Sequence, residues 1–148
     1  MDRHTVGDRF TTIHFIRYHS RMTLYKFLDW FFVVFHGAVI IFNLFGWIHP
    51  VTRKANLILL LLTGASWVIL GFWYGLGYCP LTDWHFEVLH KMGASNLPNS
   101  YIKYLMDRTL GWSWSPSVTD MVTAFSFGLA LLLSIAFNIW DWRRKRAL

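Results

Sequence analysis

The segment from Phe27 to Ile48, FLDWFFVVFHGAVIIFNLFGWI, is apolar enough to cross a bilayer, yet it carries Asp29, His36 and Asn43 at intervals of seven residues. Seven residues make just under two helical turns, so on a helix the three groups form one narrow stripe. An ionisable or amide group at the depth of hydrocarbon is costly unless it faces protein or water. The stripe must therefore be covered by something other than lipid tails. His36 lies about 13 Å into the segment at a rise of about 1.5 Å per residue, close to the bilayer midplane.

The rest of the chain fits the same setting. Of its 148 residues, 55% are apolar and 15% charged, and mean hydropathy is +0.36, outside the range of an ordinary soluble domain. Nine Trp, thirteen Phe and six Tyr suit aromatic belts at membrane interfaces. A net charge of +6 raises nucleic acid as a partner. However, the basic residues gather at the N-terminus, in one short loop and in Arg143-Arg144-Lys145-Arg146. Juxtamembrane clusters of that kind point to anionic lipid headgroups rather than nucleic acid. The single cysteine, Cys79, rules out an intramolecular disulfide.

Three stretches are long enough to span, at residues 27–48, 55–78 and 118–140. Pro50 and Pro80 close the first two, and Pro116 with Ser117 opens the third. Trp47, Trp73, Trp112, Trp114, Trp140 and Trp142 fall near span ends. The expected fold is an all-α membrane protein, with three transmembrane helices and one or two interfacial amphipathic helices between the second and third. Residues 22–142 form a single bundle on this reading, preceded by a basic arm or start-site extension at 1–21 and followed by a basic tail at 143–148.

The connecting segment 79–116 is too polar to cross. In TDWHFEVLHKMG, Thr82 reads as a helix N-cap, Phe86, Leu89 and Met92 as an apolar face, and Gly93 as a stop. A second short helix over Ser100–Leu110 would set Ile102, Leu105 and Met106 opposite Lys103, Asp107 and Arg108. Span directions place Asp29, Tyr74, Tyr78, the CPLTDWH segment and Asp120 at one end of the bundle, and Asn43, Asn56 and Asn138 at the other. The compact RRKR beside the third span favours a cytoplasmic C-terminus.

The stripe Asp29, His36, Asn43 has three open readings: interhelical glue, with His36 bonded to Thr63, Ser66 or Ser126; a proton or small-solute path; or a cofactor ligand. No cofactor is expected. Haem between spans needs axial ligands from facing helices, and only His36 lies inside a span, with His49 and His85 at opposite interfaces. A metal at His85 is disfavoured because His85 and His90 diverge on a helix. Gly71 and Gly75 make a small-xxx-small match in span two, and Thr123, Ser126, Ala130 and Ser134 form a comparable stripe in span three.

The run GYCPLTDWHFEVL, Gly77 to Leu89, resembles the bacterial membrane family called domain of unknown function 2784. In that family CPLT follows the second span, and the first span carries a histidine matching His36. The fuller pattern, NLFGWIHPVTRKANL through LTDWHF to NLPNSYIKYL, looks like its Bacteroidetes-type branch. The resemblance covers roughly residues 22–140. His85 stands where a glutamate commonly follows CPLT, and Ile102-Lys103-Tyr104 where many members have an acidic residue and a histidine. The cap motif is thus Cys79, Pro80, Leu81, Thr82, Asp83 and His85. The resemblance implies a bacterial inner-membrane location and no particular activity. The expected role is a non-enzymatic structural or accessory subunit docked to a protein partner or to further copies of itself. The alternatives are proton or small-solute handling through Asp29 and His36, or a lipid- or quinone-linked membrane enzyme or redox subunit.

Overall fold

The computed structural model describes residues 4–112 and 114–146, with side chains from Ser20 onward. All regular structure among the described residues is helical. Helix α1 covers His4–Phe45, and its part from Ser20 to Phe45 is long and apolar enough to span. From His4 onward the backbone of the basic arm is part of this helix; residues 1–3 and the arm's side chains before Ser20 lie outside the described residues. Helix α2, Arg53–Ala65, continues through a π-helical stretch at Ser66–Leu70 into α3, Gly71–Tyr74, and these together make the second span. The third span is α6, Pro116–Arg146. Between them lie α4, Pro80–Lys91, and α5, Tyr101–Leu105, which runs on into a π-helical stretch at Met106–Leu110.

The first span ends at Phe45 rather than Ile48, and the chain turns away at Gly46, where α2 packs closely against it. A Cβ on Gly46 would stand 2.6 Å from the Phe42 carbonyl oxygen and 2.9 Å from Asn56 Nδ2. The missing side chain lets the fully buried Asn56 donate to the carbonyls of Phe42 at 2.7 Å and Asn43 at 3.2 Å. Thr52 then donates to the Gly46 carbonyl at 2.7 Å and closes the corner.

The second span stops at Tyr74, four residues before the expected boundary. Gly75 takes φ +103°, a conformation that favours glycine, and the chain folds back on the span it has left. Ser66 Oγ donates to the Tyr78 carbonyl at 2.9 Å, and a Cβ on Gly71 would sit 3.1 Å from Leu76 Cα. Gly71 and Gly75 thus serve the turn rather than a contact between spans, which corrects their reading as a small-xxx-small pair. The stripe in the third span does face inward: Ala130 is 3% exposed and Ser134 fully buried. Ser115 starts α6 by accepting the Val118 amide on its hydroxyl at 3.4 Å, with Pro116 in the first turn.

Helix α4 packs on α1, and α5 packs on α6. Its cap is Cys79 rather than Thr82, because Pro80, with φ already set and no amide to satisfy, occupies the first helical position. Gly93, at φ +90°, terminates it as expected. Leu89, Tyr101 and Tyr104 form an apolar cluster, with Ile40 of the first span and Phe86 packed on it.

Candidate functional site

All three stripe residues of α1 are buried: Asp29 and His36 are 6% exposed and Asn43 7%. What covers the first two is the connecting segment. Asp29 and the cap motif meet at one end of the bundle, and Asn43 belongs to the other.

At the first end, α4 presents His85, completely buried, to Asp29. His85 Nε2 lies 2.9 Å from Asp29 Oδ1 and its Nδ1 lies 2.9 Å from the Tyr101 hydroxyl. The π-helical stretch that continues α5 sends Arg108 to the same carboxylate, with Nη1 at 2.6 Å from Oδ1 and Nη2 at 2.9 Å from Oδ2. Arg108 Nη1 also donates to the Tyr104 hydroxyl. Asp29 is therefore held by two elements that lie far from it in sequence. Its carboxylate accepts a bidentate, charge-assisted pair from a planar guanidinium, the strongest geometry these groups offer.

The ring nitrogens of His85 have distinct jobs. With Asp29 ionised and paired to Arg108, Nε2 carries the proton and donates to the carboxylate, leaving Nδ1 to accept from Tyr101. Burial pushes the imidazole below its ordinary pKa; the Asp29 hydrogen bond works against this and Arg108 adds to it. Burial likewise raises the phenols of Tyr101 and Tyr104, while Arg108 opposes the rise at Tyr104. The bond to Asp29 keeps the Arg108 guanidinium firmly charged.

Aromatic rings wall the cluster. Phe32 stacks on His85 with centroids 5.4 Å apart, and Tyr104 meets it edge-on at 5.5 Å. Tyr101 lies flat against His36 at 3.9 Å and 14° between planes, so its ring fills the gap between the Asp29 and His36 levels of the stripe. The Tyr101 hydroxyl also has the Phe32 carbonyl as an acceptor at 3.4 Å.

His36 does not bond the hydroxyls expected for it. Thr63 takes Asn43 at 3.1 Å, and Ser66 takes the Tyr78 carbonyl. His36 instead has Cys79 Sγ 3.9 Å from its Nε2, and its Nδ1 is buried without a hydrogen-bond partner. Asn43, bonded to Thr63, is an interhelical tie between the first two spans. Of the cap motif, Asp83 is exposed and accepts from the Tyr78 hydroxyl at 3.2 Å, whereas Leu81 and Thr82 are half-buried. Asp120, at the start of α6, is exposed.

Two placements differ from the sequence reading. His85, expected at a membrane interface, is instead completely buried within the protein, where its ring meets the Asp29 carboxylate. Arg108 points inward to the same carboxylate. Tyr101, Tyr104 and Arg108 fall at i, i+3 and i+7, the signature of one helical face. That spacing was the available signal for them.

Among the described residues, no group of three or more His, Cys, Asp or Glu converges as a metal-ion cage. Both nitrogens of His85 are already engaged, so a ligand role there would require breaking a bond to Asp29 or Tyr101.

No curated protein and no solved structure shows significant similarity to the chain. Residues 26–139 match the family described as Protein of Unknown function (DUF2784). The match takes in the whole second span, most of the first and third, and every residue of the Asp29 cluster, and the chain belongs to that family.

Proposed function

We propose that the chain is a structural or accessory subunit of a larger membrane assembly, in which the Asp29 cluster fastens the connecting segment across one end of the spans. The observation that carries this reading is the closure of the cluster. Both carboxylate oxygens of Asp29 and both ring nitrogens of His85 have partners within the chain. An acid or base working on a substrate needs a free lone pair or proton at the reacting position. Here three of the four acceptor sites of the Asp29 carboxylate, and both ring nitrogens of His85, are occupied by side chains that hold the fold.

The spans themselves support a docking role. Only 17%, 17% and 11% of their most apolar windows are buried within the chain. The remaining surface is free to meet lipid, a neighbouring subunit or a second copy. On this reading the protein sits in the bacterial inner membrane with its C-terminus on the cytoplasmic side. Extraction in native lipid discs, followed by cross-linking and native mass spectrometry, tests it. The expected result is the chain in fixed ratio with another membrane protein or with further copies. Discs holding one copy alone contradict it.

One observation favours a second reading, proton handling. His85 links Asp29 to the Tyr101 hydroxyl, and that ring lies against His36, giving a row of exchangeable groups towards the bundle interior. Proton flux into dye-loaded vesicles, lost on His85→Gln, is its signature. Vesicles as tight with the protein as without it reject this reading.

A further inference from the structure

We propose that the end of the bundle opposite the Asp29 cluster is a binding surface for anionic phospholipid headgroups. This inference does not depend on the subunit role. Its basis is the way two basic segments, separate in sequence, are pinned together. Arg53 Nη1 reaches both oxygens of Asp141 on α6, at 2.9 and 3.0 Å, and its Nε donates to the Trp47 carbonyl at 3.0 Å. Asn138 of α6 donates back to the Arg53 carbonyl at 3.1 Å. The short loop between the first two spans is thereby locked to the end of the third.

The consequence is a concentration of unpaired positive charge. Lys54, Arg143, Arg144, Lys145 and Arg146 are all exposed at this end, and the one acidic side chain among its described residues, Asp141, is already taken by Arg53. Among the described side chains, the opposite end is balanced instead. There Glu87 pairs with Lys91, Asp107 with Lys103, and Asp29 with Arg108. Exposed Trp140 and Trp142 mark the depth of the surface, since indoles settle between hydrocarbon and headgroups, and Arg146 lies 3.7 Å over the Trp142 ring. Cations held at that level meet lipid phosphates. With no unpaired side-chain carboxylate among the described residues of this end to accept a choline or ethanolamine group, the surface selects net-anionic lipid over zwitterionic lipid.

The test uses the full chain in bilayer discs of equal phosphatidylglycerol and phosphatidylcholine, with co-released lipids counted by native mass spectrometry. Phosphatidylglycerol is expected to be retained about fivefold or more over phosphatidylcholine, the ratio set by one cation near an anionic surface. Replacing Lys54, Arg143, Arg144, Lys145 and Arg146 by Gln should bring the ratio close to unity. Arg→Lys at 143, 144 and 146 should preserve it, and Arg21→Gln with Lys26→Gln, towards the other end, should leave it unchanged. For the unaltered chain, the preference should fade when discs are assembled at about 0.5 M salt, where screening confines charge effects to a few ångströms. Equal retention of the two lipids, a preference that survives the Gln replacements, or one indifferent to salt overturns the proposal.

Discussion

Asp29 of the first span and Arg108, 79 residues further on, form a two-pronged ion pair, Nη1 to Oδ1 at 2.6 Å and Nη2 to Oδ2 at 2.9 Å. The pair ties the connecting segment to the first span and fixes how that segment returns over the bundle after the second span. The carboxylate side chain is 9% exposed and the guanidinium 32%. Losing the cation would strand a nearly buried anion, whereas losing the anion would free an arginine that can turn to water.

Arg108→Gln should therefore destabilise the protein by about 2–3 kcal/mol, below the usual cost of breaking a fully buried pair because the arginine is partly solvated. Arg108→Lys should recover only part of this, since an ammonium cannot bridge both oxygens. Reversible unfolding in mixed micelles, followed by circular dichroism, measures both. Equal stability of the lysine variant and the unaltered chain would show that geometry is immaterial.

His85 makes the protein acid-labile. Its folded pKa lies below the ordinary 6.5. Between the folded value and 6.5 the unfolded chain therefore binds the extra proton and the folded chain does not. The contribution is fully present above 6.5 and is lost as pH falls through that window. Melting temperatures measured from about pH 7 down to about pH 5 should decline, and His85→Gln should flatten the decline. A parallel decline in the variant would place the acid sensitivity elsewhere.

Gly46 carries no side chain because Asn56 of α2 occupies that space. Gly46→Ala would force a methyl to within 2.9 Å of Asn56 Nδ2 on α2, and to within 2.6 Å of the Phe42 carbonyl oxygen of its own span. The corner must then open, at about 1–3 kcal/mol, the usual range for overpacking. The same substitution at Gly37, where nothing lies within 4 Å, is the control and should be neutral or mildly stabilising. Unchanged unfolding of Gly46→Ala would mean that the first two spans do not meet as described.

His36 offers a ring to Tyr101 and leaves Nδ1 unpaired. His36→Phe should keep the stacking and remove a buried unsatisfied atom, so stability should hold or rise by up to about 1 kcal/mol. His36→Ala should lose about 2–3 kcal/mol by leaving a cavity beside Tyr101. If the phenylalanine variant unfolds as readily as the alanine one, the stacking is not what the residue contributes.

Much of this architecture was legible in the chain. Asp29, His36 and Asn43 on a single helical stripe required a covered face, and all three are covered. The three spans follow from apolar length, and opposite directions bring the cap motif to Asp29. What escaped was the identity of the cover. Tyr101, Tyr104 and Arg108 share a face, but Ile102, Leu105 and Met106 share another that is more apolar. A charge is assigned outward unless a buried counter-charge is known. That counter-charge is Asp29, a long-range fact that no local pattern reports. The spacing of Gly71 and Gly75 misled for a related reason: four residues suit a helix contact, yet Gly75 has already left the helix with φ +103°. Thr82 gave way to Cys79 as the cap because Pro80 starts the helix two residues before the threonine.

The most direct test of the cluster as a clasp between the connecting segment and the first span is a double-mutant cycle on Asp29→Asn and Arg108→Gln. Unfolding free energies are measured for the two single variants, the double variant and the unaltered chain in the same micelles. If the two side chains hold each other, the second substitution should cost little once the first is made, with a coupling of about 1–3 kcal/mol. Effects that add to within about 0.5 kcal/mol would contradict it, since independent residues cannot be the clasp that brings residues 79–115 over the bundle.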